Sequence, residues 1–112
     1  MLNKIILGSA NFNQTYGVKK NLIKKKEIKK LFDLASKNRI KTIDTSPLYN
    51  KSEKIIGRLN KNRFKIISKI PGSPKNIKRK NIKKWLKQNT IASLKNLKIR
   101  KFECLLIHNA SS

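Results

Sequence analysis

Residues 38–57 read NRIKTIDTSPLYNKSEKIIG, and this stretch decides the fold class. Its first segment, Ile40–Ile43, is typical of a short buried strand, and the strand ends on an ionisable residue, Asp44. A turn with Ser and Pro follows, and apolar residues at helical spacing begin after Ser52. We expect Ser52 to be the N-cap of that helix, because a serine hydroxyl can accept a hydrogen bond from an unpaired backbone N–H. The stretch therefore predicts a strand, a loop and a short helix.

The same alternation continues on both sides of this stretch. Upstream, we predict a strand at Lys4–Leu7 and a helix from about residue 24 to 37, with Asn38 in the left-handed position after the helix. Strands that alternate with helices along the whole chain are typical of a parallel α/β sheet or barrel. The elements predicted downstream are a strand at Phe64–Ser68, a helix at about 78–97 and a strand at Phe102–Ile107.

The length and composition limit the class of protein. With 112 residues, the chain is long enough for one domain and too short for two. No apolar run approaches the ~18–20 residues of a membrane span, and the start of the chain does not resemble a signal peptide. The single cysteine, Cys104, excludes an internal disulfide and a multi-cysteine metal site, and we expect it to be a small core residue. These features predict a cytoplasmic protein with no metal and no membrane partner.

The net charge of +24 is the most unusual bulk property. Such a charge attracts nucleic acid or anionic membranes, but Arg is the residue that clamps phosphates, and only five of the 29 basic residues are Arg. Aromatic residues, on which bases stack, make up 6% of the chain. Because Lys, Asn and Ile share A/T-rich codons, we interpret the lysines as a solvated surface and expect no nucleic-acid partner. A small basic nucleic-acid-binding protein remains the alternative.

Three of the four predicted strands end on a polar or ionisable residue: Asp44, Lys69 and His108. Tyr49 lies in the loop just after the first of them. Parallel strands bring their carboxyl ends to one face, which is where the active sites of barrels lie. A tyrosine hydroxyl has a pKa near ~10 and is a poor acid at neutral pH unless a cation stabilises its ionised form. A lysine held by an aspartate supplies such a cation, and a histidine can orient a carbonyl oxygen.

These residues and their surroundings resemble the aldo/keto reductase family. Residues 38–57 are similar to the first signature of the family, which has Asp-Thr-Ala/Ser, a Tyr, and then Glu and Gly on a helix. Residues 7–12 with Tyr16-Gly17 resemble the LGTAQFG…YG start of its short bacterial members. Residues 93–97 followed by 105–109 resemble its SLxxL…LLLHN segment. The resemblance covers essentially the whole chain, in the order of the family.

The resemblance implies a parallel (β/α) half-barrel, the first four strands and three helices of a TIM barrel. A closed barrel typically needs ~250 residues, so residues 1–112 would form a single partial domain, the amino-terminal half. We expect most of the NADP(H) site to lie in the carboxyl-terminal half of such a barrel. Because most of the cofactor site would be missing, we expect the chain alone to be inactive, or to be a truncated or partial gene product. We also expect it to be poorly soluble, because its first and fourth strands would be unpaired edges.

The resemblance further implies an NADP-dependent reduction of a small aldehyde or ketone to an alcohol. Tyr49 would be the general acid, Lys69 would support its ionised form, and Asp44 would pair with Lys69. His108 would bind and orient the carbonyl, while Asp44 and Asn109 would contact the cofactor. A half-barrel retained as a non-catalytic protein remains a further alternative.

Overall fold

A computed structural model of the chain describes residues 5–10, 12, 25–49 and 51–107. Strands and helices alternate along it, and all four strands are parallel, in the spatial order β1-β2-β3-β4. This confirms the predicted α/β class, with four parallel strands and three helices arranged as in part of a TIM barrel. The elements are β1 (Leu7–Gly8), α1 (Lys25–Lys37), β2 (Thr42–Asp44), α2 (Ser52–Leu59), β3 (Lys65–Ile70), α3 (Arg79–Leu97) and β4 (Cys104–Ile107).

The core lies between the helices and the outer face of the sheet. Ile43 of β2 and Ile66 of β3 are at most 1% exposed there, and α1 contributes Ile28 and Phe32, both fully buried. The ring of Phe32 packs edge-on against that of Phe64, with the centroids 5.3 Å apart. Each fully buried side chain of this size stabilises the fold by roughly 1.5–3 kcal/mol. The predicted apolar stripe of α1 is therefore its core-facing side.

The opposite face of the sheet, here called the inner face, carries Asp44, Ile67, Lys69, Cys104 and Leu106. Side chains alternate along a strand, and the parallel register aligns Asp44 with Ile67 and Ile67 with Cys104. The inner face is more open than the outer one, since Asp44, Ile67 and Lys69 are half-buried and Leu106 is 47% exposed.

Cys104 is exposed, so the expectation that it is a small core residue was wrong. Apolar character alone cannot say which face of a strand a residue occupies. In this fold the register places Cys104 on the inner face of β4, an edge strand, while the close packing occurs on the outer face.

We expect the Cys104 thiol to react with Ellman's reagent in the native protein within about tenfold of its rate in the denatured chain. Because the chain has a single cysteine, the released chromophore reports on this position alone, and Cys104→Ser supplies the blank. Protection by about a hundredfold or more would show that the inner face of β4 is covered.

α3 is the longest described helix, with 19 residues, and it packs mainly against α2. It buries Ser93 and Leu97 near its end, whereas Trp85 and Leu86, in its middle, are only half-buried. Within the described ranges, no helix combines the length and apolar character needed to cross a bilayer.

Several element ends differ from the sequence predictions. β1 covers Leu7–Gly8 and pairs with β2 at two positions, so Ile5 and Ile6 of the predicted strand lie before it, and Lys4 lies outside the described residues. The left-handed residue after α1 is Arg39, with φ 65°, instead of Asn38. The side-chain amide of Asn38 donates a 2.8 Å hydrogen bond to the carbonyl of Leu34, so Asn38 pairs a carbonyl of the last helical turn, one position before the left-handed residue.

Candidate active site

Asp44 and Lys69 meet at the carboxyl end of the inner face. Asp44 is the last residue of β2, and Lys69 is the penultimate residue of β3. The Nζ of Lys69 donates hydrogen bonds to Oδ1 of Asp44 at 2.7 Å and to the carbonyl of Thr45 at 2.9 Å. The side chains of Lys69 and Asp44 are 14% and 32% exposed, so the pair is shielded from solvent but reachable by a small ligand.

The strand geometry explains why these two side chains meet. Ser68 points to the packed outer face, so the next residue, Lys69, must point to the inner face. The β2–β3 register places Asp44 beside Ile67, two residues before Lys69 on the same face. A lysine is long enough to cover that offset and reach back to the carboxylate.

Tyr49 lies beside this ion pair. Its backbone N–H donates to the carbonyl of Ser46 at 3.1 Å, and its own carbonyl accepts from the N–H of Ser52 at 3.0 Å. These bonds form a tight turn between β2 and α2. The ring centroid of Tyr49 is 5.2 Å from the Nζ of Lys69, within the range of a cation–π contact. The structure thus brings together Asp44, Lys69 and Tyr49.

Two buried serines anchor the loop that carries Tyr49. Ser9 donates to the carbonyl of Asp44 twice, from its N–H at 3.1 Å and from its hydroxyl at 2.8 Å. The hydroxyl of Ser52 donates to the carbonyl of Ser9 at 3.0 Å, across 43 residues of sequence. The N-cap of α2 is Lys51, so the prediction that Ser52 caps this helix was wrong. Its hydroxyl instead bonds to the carbonyl of Ser9, the residue that follows β1.

Glu53 matches the glutamate of the signature in residues 38–57, and the structure shows how it supports the site. It lies in the first turn of α2 and is only 2% exposed. Its two carboxylate oxygens accept 3.3 Å hydrogen bonds from Ser68 of β3 and Asn96 of α3. One signal was available: Glu53 stands three residues before Ile56, on the buried stripe of α2.

His108 and Asn109, the other two predicted site residues, lie outside the described part of the chain. The described part of β4 ends at Ile107, in register with Ile70 of β3. Among the residues described, no three His, Cys, Asp or Glu side chains are placed to hold a metal ion.

The Asp44–Lys69 pair should contribute measurably to stability. We expect a double-mutant cycle with Asp44→Asn and Lys69→Met to give a coupling of about 1–2 kcal/mol in urea unfolding, since both groups are largely shielded. The matched control is the cycle for Lys65 and Glu103, whose side chains are 65% and 49% exposed and 3.8 Å apart. There we expect less than about 0.5 kcal/mol. Equal couplings in the two cycles would contradict the geometry.

The sequence and the structure of the chain were compared with those of known proteins. A sequence profile of the aldo/keto reductase family matches residues 4–111. Two solved structures named as aldo-keto reductases of Pseudomonas aeruginosa superpose on the chain with TM-scores of 0.76 and 0.75, at 27% and 26% identity. Both alignments cover 94% of this chain, but only 42% and 40% of the other chains, so it spans about two fifths of their length. Among curated protein sequences, none matches significantly.

Proposed function

The chain belongs to the aldo/keto reductase family, and on that premise we propose that it contributes the proton-transfer groups of an NADP(H)-dependent carbonyl reductase. The reaction would convert a small aldehyde or ketone to an alcohol. One observation carries the proposal: the ammonium of Lys69 lies between the Asp44 carboxylate, at 2.7 Å, and the Tyr49 ring, at 5.2 Å from its centroid.

Tyr49 is the proton donor in this proposal. Reduction of a carbonyl places negative charge on the carbonyl oxygen. A positioned O–H that transfers its proton to that oxygen lowers the activation barrier of the reaction. The turn from Ser46 to Ser52 holds the Tyr49 backbone at both its N–H and its carbonyl. The turn therefore fixes the backbone position from which the phenol extends beside Lys69.

Lys69 and Asp44 support the tyrosine. When Tyr49 gives up its proton, the resulting phenolate is stabilised by the neighbouring ammonium. The carboxylate of Asp44 and the carbonyl of Thr45 fix the ammonium from the other side. Lys69 therefore does not need to move during the reaction, and a preorganised charge of this kind is an effective stabiliser of a transition state.

The residues at the carboxyl end of the sheet fit a nicotinamide nucleotide. Lys69 uses Oδ1 of Asp44, and among the described residues Oδ2 has no partner, so this partly exposed oxygen can accept from a ligand hydroxyl. The adjacent Thr45 hydroxyl is buried and has no hydrogen-bond partner in the described part of the chain. Asp44 would thus help to hold the cofactor, and Asn109 remains a predicted contact. When bound, the reduced cofactor supplies the hydride that adds to the carbonyl carbon.

The test is a barrel-completed chain, in which residues 1–112, with the predicted site residues His108 and Asn109 included, are joined to the part of the P. aeruginosa relative that follows the matched region. We expect carbonyl-dependent oxidation of NADPH with a panel of small aldehydes and ketones. The chain alone and the relative's segment alone are the controls, and neither should turn over. A barrel-completed chain that binds NADPH but reduces none of the carbonyls would contradict the proposal and favour a non-catalytic role.

A further inference from the structure

Four of the five arginines of the chain lie at one end of the fold. Arg39, Arg63 and Arg100 stand in the loops that lead into β2, β3 and β4, and Arg58 stands in the last turn of α2. These positions, here called the amino-terminal face, lie at the end of the strands opposite the candidate active site. Codon usage explains abundant lysine across the whole surface, but it does not explain why the scarce arginines gather at one end.

Three adjoining grooves cross the amino-terminal face, and Asn62 lines all of them. Glu103 is the one carboxylate among the described residues that line the grooves. It lies 3.8 Å from Lys65 and so neutralises only part of the local charge. The basic residues that line the first groove are Lys65, Lys98, Arg100 and Lys101.

The other two grooves continue this basic surface. Arg39, Lys41 and Arg63 line one of them, and Arg58 and Lys61 line the other. Because β2, β3 and β4 are neighbours about 4.8 Å apart, the three αβ loops form one continuous surface instead of separate spots.

Backbone conformation is a second, independent feature of this face. Arg39, Lys61 and Lys98 have φ angles of 65°, 49° and 55°, and Asn62 has 61°, in the left-handed region where glycine is the least strained residue. For other residues this region costs roughly 1–2 kcal/mol. Long basic side chains are therefore present at positions where glycine would give the more stable loop.

We propose that the amino-terminal face binds the phosphate backbone of nucleic acid without reading the bases. The planar fork of an arginine matches a phosphate group, and duplex DNA carries one charge per ~1.7 Å of its axis, so several phosphates can contact the three loops at once. The aromatic ring in the grooves, Phe64, is 5% exposed and unavailable for stacking on bases. We therefore infer contacts to the phosphate backbone of the nucleic acid and none to its bases.

Nucleic acid fits this face better than an anionic membrane. Helices and loops that bind at a membrane surface insert apolar side chains among the headgroups. Of the large hydrophobic residues that are exposed in the described part of the chain, none lines the three grooves, and Leu34 lies in a neighbouring groove beside Arg63. The three grooves therefore offer charge without an apolar anchor.

The test compares two triple variants that remove the same charge from different faces. The first is Arg39→Gln, Arg58→Gln and Arg100→Gln, which omits Arg63 because that residue is paired with Asp33 at 2.7 Å. The control variant changes three exposed lysines of α3 that line none of the grooves, namely Lys80→Gln, Lys83→Gln and Lys87→Gln. Binding is measured by fluorescence anisotropy with a labelled 20-mer duplex at several salt concentrations.

We expect the arginine variant to bind the duplex at least about tenfold more weakly and to lose about two to three units from the slope of log affinity against log salt. The control variant should change affinity by less than about threefold. Equal losses in both variants would overturn the proposal, because binding would then follow total charge. An arginine variant that keeps its affinity for the duplex but loses binding to phosphatidylserine vesicles would also overturn it. Circular dichroism of both variants confirms that these surface changes leave the fold intact.

Discussion

Replacing Tyr49 with Phe is expected to lower kcat of the barrel-completed chain by about 10²–10⁴-fold, the usual contribution of a positioned general acid. Phe keeps the ring, and with it the packing 5.2 Å from the Lys69 ammonium, and removes only the hydroxyl. The turn is held by hydrogen bonds at the backbone N–H and carbonyl of Tyr49. These bonds do not involve the side-chain hydroxyl, so the turn should persist. NADPH oxidation in the presence of an aldehyde measures the loss.

The matched control for this substitution is Lys51→Gln, in the same loop. Lys51 is exposed, and its side chain forms no capping hydrogen bond at the start of α2. We expect kcat within about twofold of the unmodified protein, because a solvated surface charge rarely contributes to a reaction. If Tyr49→Phe behaves like this control, Tyr49 is not the proton donor.

Replacing Gly57 with Ala is expected to destabilise the protein by at least about 3 kcal/mol, at the upper end of overpacking effects. Gly57 lies on α2, where it meets the last turns of α3. A Cβ at this position would overlap the backbone carbonyl oxygen of Asn96, which a side-chain rotation cannot move away. The better helix propensity of alanine offsets only about 1 kcal/mol of this. The urea midpoint of unfolding, followed by circular dichroism, measures the change.

Gly8→Ala is the control for the glycine prediction. A Cβ built at Gly8, in β1, meets no atom of the described residues within 4 Å, so this substitution should change stability by less than about 1 kcal/mol in either direction. If both alanine variants unfold at the same urea concentration, α2 and α3 do not approach each other as closely as the structure indicates. If only Gly57→Ala lowers the urea midpoint of unfolding, the close contact between α2 and α3 is supported. This contact then also explains why residue 57 of α2 is a glycine.

The sequence predicted the alternation of elements because each element carries its own local pattern. Helical spacing of Ile28 and Phe32 and the short apolar run through Ile66 depend only on neighbouring residues. The strand-end positions of Asp44 and Lys69 follow from the same local patterns, since parallel strands align their carboxyl ends. The prediction that these residues share one face therefore needed no knowledge of long-range contacts.

Local sequence patterns could not predict which distant residues form hydrogen bonds with each other. They also could not predict which face of the sheet a strand residue occupies. Ser52 looked like a local cap, but its hydroxyl bonds to Ser9, 43 residues away. Glu53 matches the glutamate of the signature, but its partners, Ser68 and Asn96, lie on two other elements and could not be predicted from the local pattern. Cys104 looked apolar and therefore buried, but its burial depends on which face of β4 it occupies. In each case the deciding partner lies far away in sequence.

Lys69→Met, compared in two backgrounds, tests most directly whether Lys69 acts through Tyr49. The measurement is kcat for NADPH-dependent carbonyl reduction by the barrel-completed chain, with and without Tyr49→Phe. We expect Lys69→Met to lower kcat by about 10²-fold or more when Tyr49 is present, and by less than about threefold when Tyr49→Phe is already in place, because residues that work as a unit are not additive. The same loss in both backgrounds would contradict the account, since Lys69 would then act on the reaction without Tyr49.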